Sequence, residues 1–209
     1  MSLKIDKGVS DVLKLIAACL VCLHHYFQYR FSFIHDFSNE LWGAFLLNQQ
    51  LGYSSVAIFF FLSGYGLMES HQHKQLNFRA FIRKRLTKIY LPFLCVNSIW
   101  LSFIWVTKDG NFSIIDFLYG IIWQGHDNVL WFIKVLILLY VIFYLYTISL
   151  INWYRKYSLC FLCTSTMLIS LIAYKVIGYY SYISIPLFSI GILCSLYKNS
   201  IFTKKILYG

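Results

Sequence analysis

The chain has 209 residues, 59% hydrophobic and 12% charged, with 18 Lys and Arg against 8 Asp and Glu, a formal net charge of +10 and a mean hydropathy of +0.65. So few polar side chains cannot solvate a globule of this size, which excludes an ordinary soluble domain and makes the chain an integral membrane protein. The basic excess gives no case for nucleic-acid binding, because its distribution follows membrane topology.

Six apolar runs follow in order, at residues 12–33, 43–68, 89–106, 129–151, 158–177 and 181–197. Each is near or above the ~20 residues that a spanning helix needs. The pattern predicts an all-α fold, a polytopic membrane helical bundle with about six transmembrane helices. A shorter apolar stretch from Phe112 to Trp123 carries Asp116 and reads as an interfacial or re-entrant piece. Pro is confined to Pro92 and Pro186, no Ser/Gly-rich linker interrupts the chain and no repeat is visible, so residues 1–209 read as a single transmembrane domain.

With the N-terminus cytoplasmic, fourteen basic residues fall on the inner side and three, Arg30, Lys108 and Lys175, on the outer side. Five acids (Asp36, Glu40, Asp109, Asp116, Asp127) lie outside. The expected location is therefore a cell membrane, multi-pass, with a cytoplasmic N-terminus. Ile16 to Cys19 loosely mimics a lipoprotein cleavage box, but it follows Lys14 too closely for a signal peptide's apolar region.

On the first span, Lys14 and His25 lie eleven residues apart, which returns them to within about 20° of one helical face. His24 points about 80° away from that stripe. An ionisable residue on the order of 16 Å along a membrane helix is a functional candidate, and a buried imidazole bonded to a neighbouring helix is its bland counterpart. The second span ends in FFFLSGYG, Phe59 to Gly66, where small Ser63 and Gly64 suit either a tight helix crossing or the approach of a ligand. FIRKRLTKIYLP, Phe81 to Pro92, brings Arg83, Lys84, Arg85 and Lys88 ahead of the third span, suited to a phosphate-rich ligand or acidic headgroups as well as to topology. LWFIK, Leu130 to Lys134, opens the fourth span with aromatics and a lysine able to snorkel. The CxxC pairs Cys19/Cys22 and Cys160/Cys163 sit mid-span, where thiolates are costly, so no metal site and no disulfide framework are expected. Histidines 35, 71, 73 and 126 fall in loops, and no second span supplies a histidine to face a haem.

In this order, these segments resemble the membrane acyltransferase 3 family. KLIAACLVCLHH matches its first-helix signature, with Lys14 where Arg is usual and His25 at the histidine position. Phe59, Phe60, Ser63 and Gly64 match two aromatics before a Ser-Gly, and Arg85 and Lys88 ahead of Pro92 match a basic pair running into a Pro-bearing third helix, again with Lys in an Arg place. The Leu-Trp-Phe opening of the fourth helix is similar as well. Lysine lacks the planar fork that grips a phosphate with two hydrogen bonds.

The resemblance implies a membrane O-acyltransferase that moves an acyl group, most often acetyl, from acyl-CoA to a hydroxyl of a cell-envelope carbohydrate or lipid-linked sugar. His25 is the implied general base, Lys14 and Ser63 its companions in catalysis, and Arg85, Lys88 and Arg83 the phosphate-binding residues for coenzyme A. Ser63 either donates a hydrogen bond to the thioester oxygen or packs. No tightly bound cofactor is expected; the partners are acyl-CoA, the glycan acceptor and membrane lipids. Family members usually have about ten spans, so the six here suggest an N-terminal portion or short member, or a chain completed by a second copy or a partner that supplies helices. The competing readings are a transporter or lipid-binding protein, with Lys14, His25 and Lys134 along a polar path, and an inactive truncated acyltransferase.

Overall fold

The computed structural model describes residues 5–31, 39–73, 77–107, 113–119, 131–152, 155–176 and 179–207, and among them every regular element is helical. In chain order these are α1 (Lys7–Phe31), α2 (Asn39–His73), α3 (Phe78–Arg85), a π-helical turn (Leu86–Tyr90), α4 (Leu91–Thr107), α5 (Ile114–Tyr119), α6 (Trp131–Asn152), α7 (Arg155–Val176), α8 (Tyr179–Ser184) and α9 (Pro186–Leu207). Five stretches are long and apolar enough to cross a membrane: Lys7–Gln28, Gln50–Gln72, Phe78–Phe103, Trp131–Ser149 and Lys156–Lys175. The sixth, Tyr182–Lys198, is shorter. The apolar run at 181–197 is therefore not one uninterrupted helix but the end of α8, a turn at Ile185 and the start of α9. Of the Phe112–Trp123 stretch, the described residues form the short α5, which carries Asp116; Phe112, residues 120–123 and the loop histidines His35 and His126 lie outside the described residues.

The described residues group into two compact units, one formed by 1–74 with 146–209 and the other by 75–145. In the first unit α2 is the central helix, packed against α1, α8 and α9, while α7 packs on α8 and α9. Its 35 residues extend on the order of 52 Å, well beyond a hydrocarbon core of ~30 Å. Small residues set how closely α2 and α9 approach. A Cβ on Gly64 would collide with the Phe188 carbonyl, and one on Gly191 with the Phe61 carbonyl, so each helix uses a glycine to admit the other's backbone. Phe60, Leu67, Leu162, Phe188 and Ile192 fill the surrounding core.

Hydroxyls tie these helices together where no water is available. Ser189 Oγ donates to Thr166 Oγ1 at 2.9 Å, joining α9 to α7, and Ser184 Oγ donates to the Tyr53 carbonyl at 3.3 Å, joining α8 to α2. Pro186 has no N–H, so it cannot bond the carbonyl of Tyr182 four residues earlier. Ser170 Oγ on α7 donates to that carbonyl instead, at 2.6 Å. The α8–α9 break thus leaves no orphaned acceptor there.

In the second unit, the Asn77 side-chain oxygen caps α3 by accepting from the amides of Arg79 (3.0 Å) and Ala80 (3.5 Å). The π-helical turn sits where Pro92 requires it. A proline in a regular helix clashes with the carbonyl four residues back, here Lys88, and the wider turn relieves that crowding. Aromatic side chains hold α3 on α6: Phe78 meets Tyr144 at 4.7 Å between ring centroids, and Phe81 meets Tyr140, Tyr144 and Phe143 at 6.3, 6.2 and 6.5 Å.

Large apolar side chains stay uncovered along α1 (Leu15, Ile16, Leu23), α4 (Val96, Ile99, Phe103) and α7 (Leu168, Leu171, Ile172). In water such stripes would drive aggregation; against acyl chains they are the expected exterior.

Candidate active site

The α1–α2 contact fixes where the first-helix residues stand. Asp6 caps α1 through the Val9 amide, which donates to its carboxylate at 2.8 Å. Ala17 and His24, seven residues apart, are both buried and belong to the face turned towards α2. The His24 imidazole lies directly over Gly52, where any Cβ would strike the ring, and the Tyr53 ring meets it edge-on with centroids 5.9 Å apart. His24 is therefore a packing residue, only 6% exposed.

His25 is turned onto the flank of α1 and is half-buried. Its Nδ1 lies 3.1 Å from Gln28 Oε1. A carboxamide oxygen can only accept, so this contact is a hydrogen bond when Nδ1 carries the proton, and in the neutral imidazole that tautomer has its lone pair on Nε2. Lys14 shares this flank, exposed, with Nζ 3.3 Å from the Asp11 carboxylate. Both partners are about half exposed, at 47% and 57%, so the pair is weakly held and its ammonium is exchangeable for another anion.

Ser63 belongs with Lys14 rather than with His25. Gly52 and Ser63 are also eleven residues apart, so Ser63 lies within about 20° of the α1-facing side of α2 and on the order of 16 Å beyond the His24 contact. The same shift along antiparallel α1 leads from His25 to Lys14. Tyr65 ties α2 to the residues before α1, its hydroxyl accepting from the Ile5 amide at 3.4 Å. A hydroxyl so placed is out of hydrogen-bonding reach of an acyl carbon beside His25. Counted from the Gly52–His24 contact, helical rise thus places Lys14 and Ser63 at about one level and His25 apart from both.

In the second unit, Arg83 and Lys88 are exposed and Arg85 is half-buried. The Arg85 guanidinium carbon sits 5.1 Å from the Tyr140 ring centroid and 5.7 Å from that of Phe81. Its Nε is buried without a hydrogen-bond partner among the described residues.

One polar constellation in the first unit has no counterpart in the sequence reading. Glu69 on α2 accepts from Lys198 Nζ with both carboxylate oxygens, each at 2.6 Å, and from Ser195 Oγ at 2.7 Å, both donors being on α9. Glu69 and Lys198 are each 18% exposed. The residues are 129 positions apart, and no local spacing signals such a pairing. Among the described residues no cluster of three or more His, Cys, Asp or Glu side chains is arranged for a metal.

Residues 9–208 match the model of the acyltransferase 3 family, an acyltransferase domain. The chain belongs to this family. The match covers nearly the whole sequence, taking in all of the second unit and all but the terminal residues of the first. No curated protein and no solved structure matches the chain. Family membership and the apolar helices together make it a multi-pass membrane acyltransferase. Within this acyltransferase, α1 carries the half-buried His25 and the exposed Lys14, and α2 carries Ser63.

Proposed function

We propose that this acyltransferase moves an acetyl group from acetyl-CoA to a hydroxyl of a cell-envelope carbohydrate or lipid-linked sugar, in a cell membrane with its N-terminus cytoplasmic and His25 as the general base. In the reaction the acceptor O–H gives its proton to His25 Nε2 while its oxygen forms a bond to the thioester carbon. The C–S bond then breaks, and the imidazolium returns the proton to the departing thiolate. The observation that supports this reading is the contact of His25 Nδ1 with Gln28 Oε1, which in the neutral imidazole favours the tautomer with its lone pair on Nε2.

The spacing of the site supports a coenzyme A donor. From the thioester sulfur to the first phosphate, the pantetheine arm is a chain of about thirteen bonds, comparable to a little over four extended residues and on the order of 15 Å long. Lys14 and His25 are separated by a similar axial distance, on the order of 16 Å. A donor laid along the α1 flank would keep its phosphates at the exposed ammonium and its acyl carbon at the imidazole. Ser63, at the lysine's level, then serves the phosphate end or the packing. In the second unit, Arg83, Arg85 and Lys88 are the positive groups suited to phosphate.

Membranes containing the full chain, incubated with acetyl-labelled CoA, are expected to label the glycan fraction. His25→Ala and His25→Gln should each lower the rate by about a hundredfold or more. Lys14→Ala should raise KM for acetyl-CoA far more than for S-acetyl-N-acetylcysteamine, which lacks the phosphates. Equal labelling by wild type and His25→Ala would remove His25 as base, and equal KM changes for the two donors would remove Lys14 as the phosphate contact.

A further inference from the structure

Arg85 combines features that a merely structural arginine rarely shows. Its guanidinium lies over an edge-to-face pair of rings, Phe81 and Tyr140, which are themselves buried at 4% and 5% exposure. Tyr144 stacks on Phe81 with planes 23° apart, and Phe143 lies beside it, so the cradle has its own support. Among the described residues no carboxylate and no hydrogen bond engages Arg85. Aromatic faces attract the cation without consuming its N–H groups or cancelling its charge. With Nε sealed, the remaining donors belong to the two terminal nitrogens, the edge that matches two phosphate oxygens.

We propose that Phe81 and Tyr140 are positioning residues that hold the Arg85 guanidinium ready for a phosphate ester. This rests on the reading that the acyl donor is a coenzyme A thioester, whose phosphates are one source of that chemistry; lipid headgroups are the other. The rings align the fork before the ligand arrives, so part of the ordering cost of binding is already met in the free protein. A carboxylate partner would have aligned it too, but would have occupied the same donors. Lys88, exposed on the adjoining π-helical turn, adds charge without such alignment.

The test is binding of labelled CoA to the full-length protein in phosphatidylcholine vesicles. Tyr140→Leu is expected to weaken binding about tenfold, while Tyr140→Phe, which keeps the ring, retains most of the affinity. In an Arg85→Ala background the same Tyr140→Leu change should add less than about twofold, because the ring acts through the arginine. Unphosphorylated pantetheine should show little of the penalty. If Tyr140→Leu instead spares CoA binding and lowers the phosphatidylglycerol retained from mixed vesicles, the phosphate comes from lipid and the positioning role stands. A Tyr140→Leu penalty undiminished in the Arg85→Ala background, or no change with either ligand, overturns the proposal. Binding that follows the expected pattern without acetyl transfer would sink the acyltransferase donor reading and leave the cradle, whereas transfer with no Tyr140 effect would do the reverse.

Discussion

A methyl group added at Gly64 would run into the backbone of Phe188, with the carbonyl carbon only 2.9 Å away, and one at Gly191 would meet the Tyr65 amide nitrogen at 2.9 Å. Backbone cannot swing aside as a side-chain tip can, so Gly64→Ala and Gly191→Ala should each destabilise the protein by about 3 kcal/mol. Two residues along, Gly66 has open space around its missing Cβ, and Gly66→Ala should be neutral or stabilising by up to about 1 kcal/mol. Thermal unfolding of the detergent-solubilised variants checks the contrast. A fall in Tm for Gly66→Ala equal to that for Gly64→Ala would contradict the crossing. Ser63–Gly64 was readable as a tight crossing from residue size alone, but its partner Gly191 was not, because nothing local to either glycine names the other. The histidine pair divides similarly. Helical phase separates His25 from His24, whereas Gln28 as the tautomer-setting partner and Gly52 as the floor under His24 emerge only from the three-dimensional contacts.

Between elements, the two prolines are accommodated in different ways. Pro92 widens its own helix into a π-helical turn, while Pro186 ends one helix, starts another and has its stranded carbonyl met by Ser170. Both are visible in the sequence as punctuation, yet a run of apolar residues continues across each, which is why 181–197 reads as one span until the turn at Ile185 is seen. The Glu69–Lys198 pair fastens α2 to α9 with charge as well as shape. Removing one partner strands the other in a mostly buried position, so Glu69→Leu or Lys198→Met alone should cost about 3 kcal/mol. The double variant Glu69→Leu with Lys198→Met should recover much of that loss, because a buried pair and an apolar pair of similar volume are often nearly equivalent. Melting curves of the two single variants and the double variant give the answer, and strict additivity would mean the two side chains do not act as a pair.

For the whole molecule, composition and the spacing of apolar runs were enough to read a helical membrane bundle, since bilayer thickness imposes a length on every crossing. The grouping into two compact units was not readable, because one of its two boundaries falls within α6 at residue 145–146 without any change in composition. Topology is the prediction that belongs at this scale. An alkaline phosphatase reporter joined after residue 74 should be inactive and one joined after residue 110 active, as expected if the basic residues face the cytoplasm. The opposite pattern would invert the proposed orientation and with it the side from which a donor reaches Lys14. The Glu69–Lys198 bridge also has a consequence in time. Lys198 is made 129 residues after Glu69, and at 5–20 residues per second synthesis takes roughly 6 to 26 s to close that gap. Throughout that interval the glutamate is held in the nascent protein without its eventual counter-charge. The first unit can reach its final packing only once the last helix has been delivered.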